Sequence, residues 1–420
     1  MFINYDKLPV HQVMCIDMKS FYASVEAVSR GLDPLQVHLA VVGSPDRKGS
    51  IVLAASPALK RDFGIKTGNR LYEIPQDSRI LIVPARMKLY LDTSMMITQL
   101  LNEYAPIEAI SIYSIDESWI VTDGLERLYG DIRSIAEHIQ KKIMDLHGLP
   151  SAIGIGPNKL IAKLVLDNYA KKTGIAACSY QDVEKMFWPL PVENIWGIGE
   201  RMKRNLNRMG IYLLGDLART PLERMRKKFG LMGEQLFYHS WGVDLSPVFV
   251  DPREEMRKGF SSGITLMRDY SLQDVPVVIY ELTDTLARKL RKIQAAAFTV
   301  SLSIGYSKHA NIKGFSRSKT MYQASHTSKH LYETCLHLLK KHASPAPVRF
   351  IHVGVSNIID AGTLQVDLFT AKQDEQLMKL GTVMDDIQKR FGPTALVRAN
   401  ALTEASTVIN HSTKIGGHTG

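Results

Sequence analysis

Short apolar runs alternate with helically spaced apolar residues along most of this chain. Val13-Met14-Cys15-Ile16 reads as a buried strand that ends on Asp17. From Ser20 onward the spacing turns helical, with Phe21, Val25 and Val28 on one side. Ile51 to Ala55 is a second strand, and Pro57-Ala58-Leu59-Lys60-Arg61-Asp62-Phe63-Gly64 opens as a helix and stops on a glycine. Ser111 to Val121, carrying Ile112, Ile115 and Ile120-Val121, reads as a largely buried strand. Ser151 to Gly156 runs through a glycine-rich turn into a helix that starts near Asn158-Lys159. Such a turn brings backbone amides and a helix N-terminus towards anions. Trp188-Pro189-Leu190-Pro191 breaks the periodicity near 178–192. After it, Ile195-Trp196-Gly197-Ile198-Gly199 reads as a hairpin between helices. A linker near 244–258 leads to a last α/β segment, a helix at about 373–391, and a polar Ser/Gly/His tail expected to be disordered.

Composition narrows the function classes. A chain of 420 residues exceeds one core, so several domains are expected. Its 52 Lys+Arg against 42 Asp+Glu, a net charge of +10, favours a polyanionic partner. Placement sharpens this: between 285 and 320 basic residues recur with no acid among them, and Arg219, Arg224, Arg226, Lys227 and Lys228 crowd one short segment. Cys15, Cys178 and Cys335 lack metal-ligand spacing and read as reduced thiols. With no signal-like or membrane-length apolar run, a soluble cytoplasmic protein is expected.

The acids carry the chemistry. Asp116-Glu117 interrupts an apolar strand, where a carboxylate is costly to bury without a cation. A strand delivering Asp17 beside another carrying Asp116-Glu117 is the minimum set for a two-metal phosphoryl-transfer site, in which ions roughly 4 Å apart hold the attacking and leaving oxygens. The plainer alternative is two buried strands with solvated ends.

Asp17-Met18-Lys19-Ser20-Phe21-Tyr22-Ala23-Ser24-Val25-Glu26, followed by Ser114-Ile115-Asp116-Glu117-Ser118, resembles the catalytic pair of the Y-family translesion DNA polymerases, closest to their UmuC-like, bacterial UV-damage-repair branch. The resemblance spans roughly residues 10–400. It implies an α/β (α+β multidomain) right-hand polymerase: palm at 1–19 and 83–177, fingers at 20–82, and a thumb with a helix-hairpin-helix at 178–245. A linker at 246–257, a little finger at 258–405 and the tail at 406–420 complete it. It implies two Mg²⁺ ions held by Asp17, Asp116, Glu117 and the Met18 carbonyl. Tyr22 is the expected steric gate against ribose, with Phe21 beside it at the nucleotide; the plainer reading of Tyr22 is a core aromatic. Arg61 and a lysine of Ala170-Lys171-Lys172-Thr173-Gly174 are expected at the triphosphate, Lys171 in preference to Lys172. Gly197, Gly199, Lys203 and Arg204 are expected on the DNA backbone, as are Lys313 and Arg317 in the last domain.

Gln365-Val366-Asp367-Leu368-Phe369 is either a half-buried strand or a clamp-binding pentapeptide, anchored by Gln365, Leu368 and Phe369. The implied partners are primer-template DNA, dNTPs, the bacterial sliding clamp and accessory proteins, with no membrane. Three positions depart from the family pattern: Lys19 stands where relatives often carry Asp or Asn, Ala55 where many carry Thr, and Ala58 where many carry Tyr. A nucleotidyl cyclase and a non-catalytic DNA-binding adaptor are the rival readings.

Overall fold

The computed structural model describes residues 3–249, 258–364, 371–412, 414–416 and 418–419. It divides into two units, residues 1–252 with 418–420, and residues 253–417.

The first unit opens with β1 (Val13–Met18), α1 (Phe21–Val28), β2 (His38–Val42), β3 (Val52–Ala55), α2 (Pro57–Phe63) and β4 (Ile80–Pro84). It continues through α3 (Met87–Leu101), β5 (Ile110–Ile112), β6 (Glu117–Val121), α4 (Glu126–Tyr129), α5 (Ile132–His147), β7 (Ser151–Gly156) and α6 (Lys159–Val165). After α7 (Lys171–Thr173) and β8 (Ile175–Ala177) come the helices α8 (Val183–Phe187), α9 (Glu200–Asn207), α10 (Leu214–Arg219), α11 (Leu222–Phe229) and α12 (Leu231–Ser240).

Two sheets form here, one five-stranded in the order β5-β6-β1-β7-β8 and one three-stranded in the order β3-β2-β4. β1 is apolar up to Asp17 and β7 is buried along its whole length, because helices cover both faces of the larger sheet. On one, Ile135, Ile139 and Ile143 of α5 form a buried stripe; on the other, α6 contributes Ala162. Contact with α6 is unusually close, and it changes the reading of the Gly154/Gly156 turn. A β-carbon at Gly154 would lie 2.2 Å from the Ala162 carbonyl oxygen, and one at Gly156 would lie 2.7 Å from the Ala162 nitrogen. Both glycines are buried strand residues that admit a helix backbone, not an anion-binding turn. The Asn158 side chain accepts from Ile161 N and caps α6. In the smaller sheet's neighbourhood, Ser56 caps α2 at Leu59 N and Gly64 ends it at φ +69°.

The second unit contains β9 (Gly259–Tyr270), α13 (Val275–Lys292), β10 (Ala295–Tyr306), β11 (Phe315–Ser325), α14 (Ser328–His342), β12 (Val348–Asp360), α15 (Ala371–Phe391) and α16 (Val408–Ser412). Its antiparallel sheet runs β11-β10-β12-β9, with α13 and α14 closing an apolar core over it. The expected disorder of the tail is corrected at its start. Ser406 Oγ donates to Glu281 Oε1 at 2.7 Å and Thr407 Oγ1 to Oε2 at 2.6 Å, which anchors the segment to α13. No described helix is long and apolar enough to cross a membrane. The pentapeptide 365–369 lies outside the described residues.

Candidate active site

Expected as one strand, residues 111–121 form a hairpin of β5 and β6. Its turn is tight: Tyr113 N and Ser114 N both donate to the Glu117 carbonyl, at 3.0 and 3.1 Å. β6 pairs antiparallel with β1, with Asp17 directly opposite Glu117. Residues opposite each other in such a pair share a sheet face. Asp116, on the turn, accepts from Ser114 Oγ at 2.6 Å, and its carbonyl accepts from Met18 N at 3.0 Å. Three carboxylates thus meet at one end of the sheet, next to the start of α1. Ser20 turns the chain there with φ +50°, a left-handed conformation uncommon outside glycine.

Burial, and then the neighbouring negative charge, raises the cost of ionising Asp17. Burial pushes the Asp17 carboxyl up to about 6; Lys171 pulls it down, while Asp116 and Glu117 add to the rise. Of the two lysines left open by the sequence, Lys171 reaches the carboxylates: its Nζ is 3.4 Å from Asp17 Oδ2 and 2.8 Å from Asp167 Oδ1. On α2 the cation facing this site is Lys60, whose Nζ donates to Ser20 Oγ at 2.8 Å. Burial lowers its pKa, with Asp17 opposing and Lys171 reinforcing. Arg61, the expected triphosphate ligand, is 62% exposed and turned to Asp62 at 2.7 Å.

Tyr22 is half-buried one residue into α1, and its ring stacks on Tyr90 with centroids 4.3 Å apart and planes 15° apart. Burial, and then Asp116, raise its hydroxyl pKa. The Phe21 side chain is 3% exposed, in the core, which leaves its backbone to face outward.

The sequence reading assigned no role to Lys163. Its Nζ lies 2.6 Å from Glu117 Oε2 and 3.1 Å from Asp167 Oδ2, with both lysine and glutamate side chains 6% exposed. Burial works against the Lys163 charge, but Glu117 and Asp167 hold its pKa above the ordinary value. The signal was present: a lysine inside Leu160-Ile161-Ala162-Lys163-Leu164-Val165 sits among apolar residues and needs an acid.

Among the helical residues, Gly197 has φ +94°, and a β-carbon at Gly197 or Gly199 would meet nothing within 4 Å. Lys203 is engaged by Glu193 at 2.8 Å, and Arg204 Nε donates to the Glu200 carbonyl at 3.3 Å. In the second unit Lys313 and Arg317 are exposed on and beside β11. The arginines of α13 are paired within the unit: Arg288 and Arg291 turn to Asp385 of α15, at 3.4 and 2.6 Å.

Residues 16–167 match the impB/mucB/samB family, residues 257–368 its C-terminal domain, and residues 193–244 the DNA polymerase-iota thumb domain. The protein named "Putative UV-damage repair protein UvrX" from Bacillus subtilis (strain 168) is 45% identical over 420 residues, covering 99% of each chain. "DNA polymerase IV 2" of the same organism is 36% identical over 414 residues, covering 97% of this chain and 98% of the other. The chain belongs to the UmuC-like, impB/mucB/samB branch of the Y-family DNA polymerases. A solved Y-family DNA polymerase chimera shares the fold, with a TM-score of 0.65 at 22% identity, covering 83% of this chain and 99% of that one. In this Y-family chain, Asp17, Asp116, Glu117 and Lys163 all lie within the first matched region, and the Gly197/Gly199 hairpin lies within the thumb match.

Y-family polymerases use divalent metal ions, and the donors here are hard oxygens suited to them. Asp17, Asp116 and Glu117 are all such donors, with Lys171 beside Asp17 and Lys163 paired to Glu117. Among the described residues no group of three His, Cys, Asp or Glu side chains is arranged to hold a metal ion.

Proposed function

We propose that this protein is a template-directed DNA polymerase performing low-fidelity synthesis past damaged DNA, such as UV lesions, by nucleotidyl transfer. The observation that carries the reading is the β1/β6 register, which sets Asp17 opposite Glu117 beside Asp116, with Lys171 alongside. Asp17, Asp116, Glu117 and the Met18 carbonyl would hold two Mg²⁺ ions, which when bound supply activation of the primer 3′-OH and charge neutralisation on the phosphates. Lys171 and Lys60 add positive charge for the triphosphate, with Arg61 joining them once it leaves Asp62. The Tyr22 ring, backed by Tyr90, would exclude a ribose 2′-OH.

The hairpin at Gly197 and Gly199 with Arg204 and Lys203, and the exposed Lys313 and Arg317, would grip the duplex backbone without reading sequence. Lesion tolerance is what membership of the family implies: short fingers would leave the nascent pair loosely enclosed and admit damaged templates at the expense of fidelity. Gln365, Leu368 and Phe369 would dock on a sliding clamp in the bacterial cytoplasm and keep a weakly held enzyme on its template.

Primer extension with Mg²⁺ and four dNTPs, on plain and thymine-dimer templates, tests this. Extension on both templates is expected, lost in Glu117→Ala and opened to ribonucleotides in Tyr22→Ala. A wild-type protein that fails to extend even with clamp added would overturn the reading in favour of an adaptor.

A further inference from the structure

Glu117 raises a physical problem for the reading above. Its two carboxylate oxygens are already taken, Oε2 by Lys163 Nζ at 2.6 Å and Oε1 by Cys15 Sγ at 3.3 Å. The ion pair is buried on both sides, and breaking such a pair without replacement is costly. Lys163, however, does not depend on Glu117 alone. Asp167, one turn further along the helix, lies 3.1 Å from the same ammonium and is 30% exposed. The Tyr113 ring lies 5.7 Å from Nζ and is itself held by Trp196 Nε1 at 3.1 Å. Lys163 would therefore keep a carboxylate and an aromatic face if Glu117 left.

Asp167 belongs to a π-helical turn, Leu166–Ala170, between α6 and α7. Residues spaced four apart in an α-helix drift by roughly 40° around the axis, and the wider π turn offsets that drift. Lys163, Asp167 and Lys171 consequently face the same acids. The result is a chain of alternating charge: Glu117, Lys163, Asp167, Lys171, Asp17.

Resting on the metal-site reading of Glu117, we infer that Lys163 is an internal counter-ion that competes with a divalent cation for Glu117, so that Glu117 must exchange an ammonium for the cation before it can serve the reaction. Asp167 receives the displaced ammonium and keeps the exchange reversible. Lys163 is thus a positioning residue: it sets when Glu117 is available and touches no substrate. The arrangement makes metal loading depend on the competition within this pair.

The test is Mn²⁺ binding to the chelator-stripped, full-length protein without DNA or nucleotide, read from the EPR signal of free Mn²⁺. Lys163→Met removes the competitor, and the apparent Kd should fall by roughly tenfold, the order expected when a buried pair no longer has to be broken. Lys163→Arg keeps the charge and should remain within about twofold of wild type by the same arithmetic. A residue that merely supported the fold would weaken binding, not strengthen it. If Lys163→Met does not fold, Lys163→Gln, whose amide can still donate to Glu117, should shift the Kd in the same direction. Unchanged or weaker binding in the neutral variant that folds overturns the inference. Glu117→Gln separates the two layers. Should it leave Mn²⁺ affinity unchanged, the metal-ligand reading of Glu117 fails; should it weaken binding while the neutral Lys163 variants do nothing, only the counter-ion inference fails.

Discussion

Glu26 ties α1 to α3, and replacing it with glutamine tests how the Tyr22 ring is held. The side chain is 0% exposed. Oε1 accepts from Arg86 Nε at 2.9 Å and from the Tyr90 hydroxyl at 2.7 Å, and Oε2 accepts from the second Arg86 nitrogen at 2.6 Å and from Arg30. One carboxylate therefore joins α1 to α3 and fixes the ring on which Tyr22 lies. Glu26→Gln keeps the size and removes the charge. Breaking a fully buried pair costs about 3–5 kcal/mol. Here Arg86 and Arg30 are 44% and 31% exposed and can turn to water, so about 2–3 kcal/mol is expected. For a unit of this size that corresponds to a melting-point drop of roughly 5–10 °C.

The pH dependence has a definite sign. Burial raises the Glu26 carboxyl pKa, but Arg86, Tyr90 and Arg30 more than reverse this and hold it below its ordinary 4.5. A depressed folded-state pKa contributes stability that is complete above the unfolded value and is lost as pH falls below it. The gap between wild type and Glu26→Gln in urea midpoint should be flat at neutral pH and narrow only below about 4.5. With Tyr90 loosened, discrimination against ribonucleotides should fall, though less than in Tyr22→Ala. A variant that melts with the wild type, or a gap that widens on acidification, refutes the clamp.

Gly154→Ala should be among the most damaging small changes in the chain. Its new methyl would lie 2.2 Å from the Ala162 carbonyl oxygen and 2.4 Å from Leu166 N, both backbone atoms. We expect about 3 kcal/mol or more of destabilisation by thermal melt, and a loss under about 1 kcal/mol would mean that α6 can shift. On the thumb, Arg204→Ala should lower the salt slope of primer-template binding by about 1, measured by anisotropy from roughly 50 to 200 mM salt. Lys203→Ala should change it less, because Lys203 must first leave Glu193; equal effects would argue that the Lys203–Glu193 pair does not persist in solution.

Much of the candidate site was legible in the chain because acids inside apolar strands are chemically conspicuous. Asp17 at the end of an apolar run and Asp116-Glu117 within another needed no tertiary information to stand out. The apolar run and the helical spacing likewise located β1 and α1, since hydrophobic patterning reports what an element buries, and the Pro57 and Gly64 punctuation located α2. Pairing is non-local and was not readable. Only the fold splits Ser111–Val121 into a hairpin and sets Asp17 opposite Glu117. Gly154 and Gly156 carry the same ambiguity, because a Gly-x-Gly can bend a turn or admit a helix, and the approach of α6 decides for the helix.

The partner of a charge is also a tertiary property. Lys171 rather than Lys172 meets Asp17, Arg61 turns away while Lys60 turns in, and Arg291 spends its charge on Asp385. Lys163 is the clearest case. Its type and position reveal a buried cation that requires an acid, but with many carboxylates in the chain, only the packing of α6 against β1 and β6 names Glu117.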